Sequence, residues 1–143
     1  MKVVDANILL YAVNRDAPHH VPARKWLDAA LTGDEAIGFA WVVLLAFLRL
    51  TTRQGLFPKP LTLQQAVSVL EAWLARPTAV VLEPTIRHLS LLGGLLAPLS
   101  TAGNLVTDAH LAALAIEYGA ELVSFDTDFS RFRGLRWRAP SAS

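Results

Sequence analysis

Cysteine is absent from this chain of 143 residues. Disulfide cross-links, zinc–thiolate sites and thiol nucleophiles are thereby excluded. Long apolar runs are missing too. The longest, Phe39 to Leu48, falls well short of the roughly 20 residues that span a bilayer. No basic stretch followed by a long apolar segment opens the chain, because Asp5 interrupts it, so a secretory signal is not expected. There is almost no excess of one charge. A net charge of +1 gives no strong overall field for nucleic acid, and any grip on RNA or DNA has to come from local clusters. Internal repeats and low-complexity tracts are also lacking. These absences leave a soluble, cytoplasmic protein with a single domain over residues 1–143 as the expectation.

Apolar residues, by contrast, are abundant at 53% of the chain. So large a fraction in a small domain predicts apolar surface left over for a dimer or partner interface. The pattern alternates short strand-like runs with helical ones. Strands are expected at Lys2–Asp5, Ala36–Ala40, Ala79–Leu82, Glu121–Asp126 and Leu135–Arg138. Helices are expected at Ile8–Val13, Pro22–Leu31, Trp41–Thr52, from Thr62 to Leu74, Thr85–Leu96 and Asn104–Gly119. Thr62 with Gln65 reads as a capping box, and 55–60 as a loop. Such alternation indicates parallel βαβ units, whose ligands bind outside the carboxyl ends of the strands.

The carboxylates gather at that edge. Asp5 and Asp126 each close a strand run, Asp128 follows two residues later, and Asp108 sits in the opening turn of the last long helix. Thr107 or Asn104 can cap that helix, and Leu111, Leu114, Ala115 and Tyr118 give it a face to bury. Asp108 taken alone is better explained as a complement to the helix dipole. Several carboxylates brought together repel one another, and a hard cation relieves that repulsion. Asn7 can fix the Asp5 carboxylate or hold a metal-bound water, or equally satisfy the backbone of the strand-to-helix turn. The neighbours His19 and His20 lack a carboxylate at ligand spacing and read as solvated loop residues, and His88, alone on its helix, as structural.

Three segments together carry a family resemblance: Asp5-Ala-Asn-Ile-Leu-Leu, then Asp108-Ala-His-Leu-Ala-Ala-Leu-Ala after Gly103-Asn-Leu-Val, then Ser124-Phe-Asp-Thr-Asp-Phe129. They resemble the acidic signature of PIN-domain ribonucleases, and more narrowly that of VapC toxins from bacterial VapBC toxin–antitoxin modules. The resemblance implies a three-layer α/β/α fold around a mostly parallel sheet of four to five strands. It implies a metal-dependent endoribonuclease in which Asp5, Asp108, Asp126 and Asp128 form the acidic pocket. Asp5 and Asp108 would be the direct ligands of Mg²⁺ or Mn²⁺, with Asn7 orienting Asp5. It further implies an RNA substrate, a homodimer and a cognate VapB-like antitoxin.

One position departs from the family pattern. The helix after the second strand commonly carries a Glu three residues before an Arg, and here Ala46 precedes Arg49 at that spacing. A missing carboxylate weakens metal binding, so a PIN-like protein that binds RNA or a partner without cutting is the second reading. A phosphohydrolase with an Asp nucleophile is a third, disfavoured because Asp5-Ala-Asn7 supplies no second Asp as acid or base. For RNA contact, Arg131, Arg133, Arg136 and Arg138 interleave with Phe129, Phe132 and Trp137, and Arg49 is a further candidate. Arginine with aromatics suits phosphate contact and base stacking. A solvated face with the aromatics in the core explains the same pattern equally well.

Overall fold

β1 (Lys2–Val4) is the middle strand of a five-stranded sheet with the order β3-β2-β1-β4-β5. Its partners are β2 (Ile37–Ala40) on one side and β4 (Glu121–Val123) on the other, with β3 (Ala79–Leu82) and β5 (Trp137–Arg138) at the edges. Every pairing is parallel. This computed structural model describes residues 1–55, 58–99 and 103–141.

Parallel pairing requires crossovers, and helices supply them. α1 (Ala6–Val13) and α2 (His20–Thr32) link β1 to β2; α3 (Trp41–Thr52) and α4 (Leu63–Leu74) link β2 to β3; α5 (His88–Leu96) and α6 (Val106–Glu117) link β3 to β4. The first crossovers move outward from β1, whereas the last returns across the sheet. With right-handed connections that reversal sends the two groups to opposite faces. The packing agrees, since α1 meets α2 and α3, α3 meets α4, and α5 meets α6. The expected three layers are therefore present. The chain's direction across the sheet reverses between β1 and β4, and the cleft outside their carboxyl ends is where such folds bind ligands.

The core explains why the strands are so apolar. Val3, Val4, Phe39, Leu122 and Val123 are fully buried, as are Phe47 of α3 and Ile8 of α1. Gly38 is required by crowding, because a Cβ there would come within 2.5 Å of Leu82 Cδ1 and 3.4 Å of Val3 Cγ2. Among the α6 residues, Ala109, Leu111, Ala112, Ala113, Leu114 and Ala115 are all buried. The helix is thus enclosed on more than the single stripe its spacing predicts. The capping box of α4 is formed as expected, Gln65 N–H donating to Thr62 Oγ1 at 3.1 Å and Thr62 N–H to Gln65 Oε1 at 2.9 Å.

Several boundaries differ from expectation, and side chains account for them. α1 starts at Ala6, two residues early, because Asp5 caps it. α5 starts at His88 rather than Thr85, since Thr85 N–H and Oγ1 both donate to Glu117 Oε1 at 3.2 and 2.6 Å. α6 is not capped by Thr107, which falls inside the first turn: Leu105 holds the cap position without a side-chain bond, and the side chain of Asn104 lies outside what the structure describes. β4 stops at Val123, where Ser124 turns its hydroxyl back to accept from Asp126 N–H at 3.0 Å. In the expected α4 stripe Ala66 and Leu70 are buried but Leu63 is 64% exposed. Of the loop at 55–60, positions 56 and 57 lie outside the described residues. His88 does not stand alone: its Nδ1 lies 2.9 Å from Glu117 Oε2 and its Nε2 2.8 Å from His110 Nδ1.

Candidate active site

Asp5 leaves β1 directly into the first turn of α1. Its Oδ1 accepts from Ala6 N–H at 2.7 Å, and its own N–H still donates to Val123 O of β4 at 3.0 Å. The carboxylate is thus pinned at the seam between the two central strands. Ser124 Oγ donates to Asp5 Oδ2 at 2.6 Å, and Asn7 Nδ2 donates to the same oxygen at 3.3 Å. Asn7 Nδ2 also donates to Ser124 Oγ at 3.0 Å, while Asn7 Oδ1 accepts from Phe125 N–H at 3.2 Å. Asn7 thus contacts Asp5 as expected, whereas the backbone it serves is that of Phe125 after β4 and not that of the strand-to-helix turn, whose Ala6 N–H goes to Asp5 itself.

Ser124 is the residue that sequence reasoning missed. It is fully buried, donates one bond and accepts two, which uses up a hydroxyl's capacity. The available signal was a single hydroxyl ending the apolar run Glu121-Leu-Val.

Asp108 reaches the same cleft from α6. A cavity is lined by Asp5, Ala6, Val42, Ala46, Arg49 and Asp108. Burial pushes the Asp108 carboxyl up from 3.8 to about 6, with further upward pressure from the charges of Asp126, Asp5 and Asp128. Burial likewise raises Asp5 against the opposing bonds from Ser124 and Ala6 N–H, and Asp126 adds its repulsion. Asp126 caps a short 3₁₀ helix (Thr127–Arg131), its Oδ1 accepting from Asp128 N–H at 2.9 Å. All four expected aspartates thus act on one region. Asp128 stands at its exposed margin, paired to Arg131 at 3.6 Å.

Among the described residues no three His, Cys, Asp or Glu side chains form a ready-made cage for an ion. Mg²⁺ is commonly held by one or two carboxylates with waters completing its shell. The donor set suits that mode: only carboxylate oxygens, with neither thiolate nor converging imidazole. The upward shift of Asp108 is the electrostatic debt a cation would relieve.

The basic candidates divide. Arg49 lines the acidic cavity, and the ion pairs among the described residues do not include it. Arg131 and Arg133 line a different groove, between α5 and the segment after the 3₁₀ helix. Arg136 donates to Gly119 O at 2.7 Å, and Arg138 pairs with Glu121 at 2.9 Å, so both brace the sheet edge. Phe129 and Phe132 are buried, and Trp137 Nε1–H donates to Ser124 O at 3.1 Å. The interleaved aromatics of the C-terminal segment serve the core rather than stacking on bases.

Comparison with known proteins gives consistent matches. The family model described as PIN domain matches residues 2–135. Ribonuclease VapC37 of Mycobacterium tuberculosis is 55% identical over 142 residues, covering 99% of each chain. Ribonuclease VapC33 of the same organism is 41% identical over 140 residues, covering 98% of each. Among solved structures, VapBC2 from Rickettsia felis bound to a promoter DNA fragment superposes with a TM-score of 0.72 at 20% identity, covering 98% of both chains. M. tuberculosis VapC20, a Sarcin-Ricin loop cleaving toxin, gives 0.69 at 19% identity, covering 95% of this chain and 99% of its own.

Proposed function

The chain belongs to the PIN domain family, and from that premise we propose that it is an endoribonuclease, the toxin of a VapBC-type module, working with Mg²⁺ or Mn²⁺. The observation that carries this reading is the meeting of Asp5 and Asp108 on one cavity beside β1 and β4, where burial first and then the charges of Asp126, Asp5 and Asp128 push the Asp108 carboxyl up. The relatives named as ribonucleases, similar over nearly their whole length, support it.

In this reading Asp5 and Asp108 hold the ion. When bound, it lowers the pKa of the attacking water and offsets charge developing on the phosphate and the leaving oxygen. The chain's own groups do the rest. Ser124 and Asn7 fix the Asp5 carboxylate in one rotamer through three hydrogen bonds spanning Asp5, Ser124 and Asn7. Asp126 and Asp128 draw the water's proton away, and Arg49 offers its guanidinium to the phosphate in the same cavity. Water attacks phosphorus, the P–O3′ bond breaks, and the 3′ oxygen takes a proton. A VapB-like antitoxin would be its partner, the fold being shared with VapBC assemblies.

Ala46 motivates a second reading, an RNA-binding module without turnover, because a methyl lines the cavity where the family pattern places a carboxylate. One experiment separates them. Purified protein incubated with total RNA and Mg²⁺ or Mn²⁺ should give discrete cleavage that chelator stops, and Asp5→Asn should lower the rate by about a hundred-fold or more, the scale on which loss of one charge-stabilising group acts. Intact RNA under both metals, with cleavage appearing only on Ala46→Glu, would establish the second reading.

A further inference from the structure

The loop between α1 and α2 returns to the acidic cleft and places an imidazole on a phenyl ring. His19 lies over Phe125 with ring centroids 4.4 Å apart and planes 13° from parallel. Tyr11 stands beside both, 5.8 Å from His19 and 5.6 Å from Phe125. The loop is held in shape by Ala17 N–H to Asn14 O at 3.1 Å and by His20 Nδ1, 2.8 Å from Tyr11 O. Two of the rings, Phe125 and Tyr11, are tied to the aspartates by the chain and by hydrogen bonds, and His19 rests on them. Phe125 precedes Asp126 in the chain, and its N–H donates to the Asn7 amide that also contacts Asp5. Tyr11 lies one helical turn beyond Asn7 on the same face of α1.

Phe125 and Tyr11 of this cluster pack against the edge of the core and not inside it. Phe39, Phe47, Phe129 and Phe132 are buried, whereas Phe125 and Tyr11 are half-buried and His19 is exposed. The stack therefore ends in solvent on the outer face of the imidazole. A flat ring with one face on a phenyl and the other open, beside a phosphodiester-cleaving site, has the chemistry of a base-stacking surface. Unpaired RNA bases are held this way, on His, Phe and Tyr rings. The C-terminal aromatics cannot do it, being buried or, in Trp137, committed to Ser124 O.

We propose that His19 and Phe125, backed by Tyr11, form a stacking platform for one unpaired nucleobase adjoining the phosphate at the acidic cleft. The proposal rests on the ribonuclease reading and adds what selects the RNA. The platform makes single-stranded or looped RNA the substrate, because a base within a duplex is already stacked on both sides. It favours a purine at that one position, the larger ring giving the larger overlap. His19 and Phe125 are positioning residues, since they touch a base rather than the reacting atoms.

The test uses the full chain with Asp108→Asn, which stops cleavage, in Mg²⁺, titrated with short single-stranded oligoribonucleotides carrying 2-aminopurine at successive positions. Fluorescence should be quenched at one position. Adding His19→Ala should abolish that quenching and weaken binding by about ten-fold, the scale of one lost base–aromatic stack. His19→Phe should restore both, and affinity for a duplex of the same sequence should not change. In the otherwise unaltered enzyme His19→Ala should raise KM with kcat nearly constant, a split that damage to the fold would not give. Because His19 is an exposed loop residue, its series tests the platform even if Phe125→Leu fails to fold. Unchanged quenching and affinity in His19→Ala, in a protein whose parent cuts RNA, would overturn the platform alone. A parent that neither cuts nor binds RNA would overturn the platform together with the ribonuclease reading.

Discussion

At the scale of single residues, Asp5 and Asp108 divide the work unequally. Asp5 is held by Ala6 N–H on Oδ1 and by Ser124 and Asn7 on Oδ2, so its geometry is set before anything binds while Oδ1 keeps a lone pair to offer. Asp108 instead carries a carboxyl displaced upward from 3.8 to about 6 by burial and by neighbouring charge. A folded-state pKa above the unfolded one means that the folded chain holds more protons between those values. Stability of the metal-free protein should therefore fall as pH rises from about 4 to about 6 on account of this group. Added Mg²⁺ should reverse that loss above pH 6, and its apparent affinity should drop about ten-fold per unit below pH 6 as protons compete for Asp108. Thermal unfolding across this range with and without Mg²⁺ checks the point. A slope that persists in Asp108→Asn would assign it to another group.

At the scale of elements, α5 is tied at its start by polar bonds, while Leu92, Leu95 and Leu96 pack partly buried against the core. None of its residues is fully buried, and Glu117 of α6 accepts from Thr85 through one oxygen and lies against His88 through the other. Burial opposes ionisation of Glu117, but the bonds from Thr85 and His88 outweigh it and hold its carboxyl below the ordinary value. Glu117→Ala should speed amide exchange across His88–Leu96 by about ten-fold or more, while α4, capped independently by Thr62 and Gln65, keeps its protection. Uniform acceleration in both helices would mean global destabilisation instead. This tie also marks where sequence reasoning stops. The strand–helix alternation and the Thr62–Gln65 box were legible because they depend on residues a few positions apart. The pairing of His88 with Glu117, 29 positions later, was not. The stack of His19 on Phe125 was hidden for the same reason, since nothing local marks either ring as the other's neighbour. The four aspartates were readable only because each sits at the end or start of an element whose type was clear.

At the scale of the whole molecule, the surplus of apolar residues has an address. The register Ala40↔Leu82 sets Trp41, which follows β2, beside the exit of β3, and that exit leads through Glu83 and Pro84 to Ile86 and Leu89. Trp41 is 52% exposed, Leu45 55%, Ile86 101% and Leu89 78%, so one end of the sheet presents large apolar side chains to water. Edge strand β3 adds Val80 and Val81, both exposed. An apolar end of this kind is covered most economically by its own copy across a two-fold axis, where each side chain serves twice. Helices of the crossovers form it without using the acidic cleft, so two copies can join there and leave both clefts open to RNA. Sedimentation equilibrium at micromolar concentration should give twice the 15.6 kDa chain mass. Leu89→Glu with Ile86→Glu should halve it, because two carboxylates facing their own symmetry mates are costly to desolvate. Since neither residue touches the cleft, the monomer so produced should still bind Mg²⁺. A dimer that survives both substitutions would move the interface elsewhere on the surface.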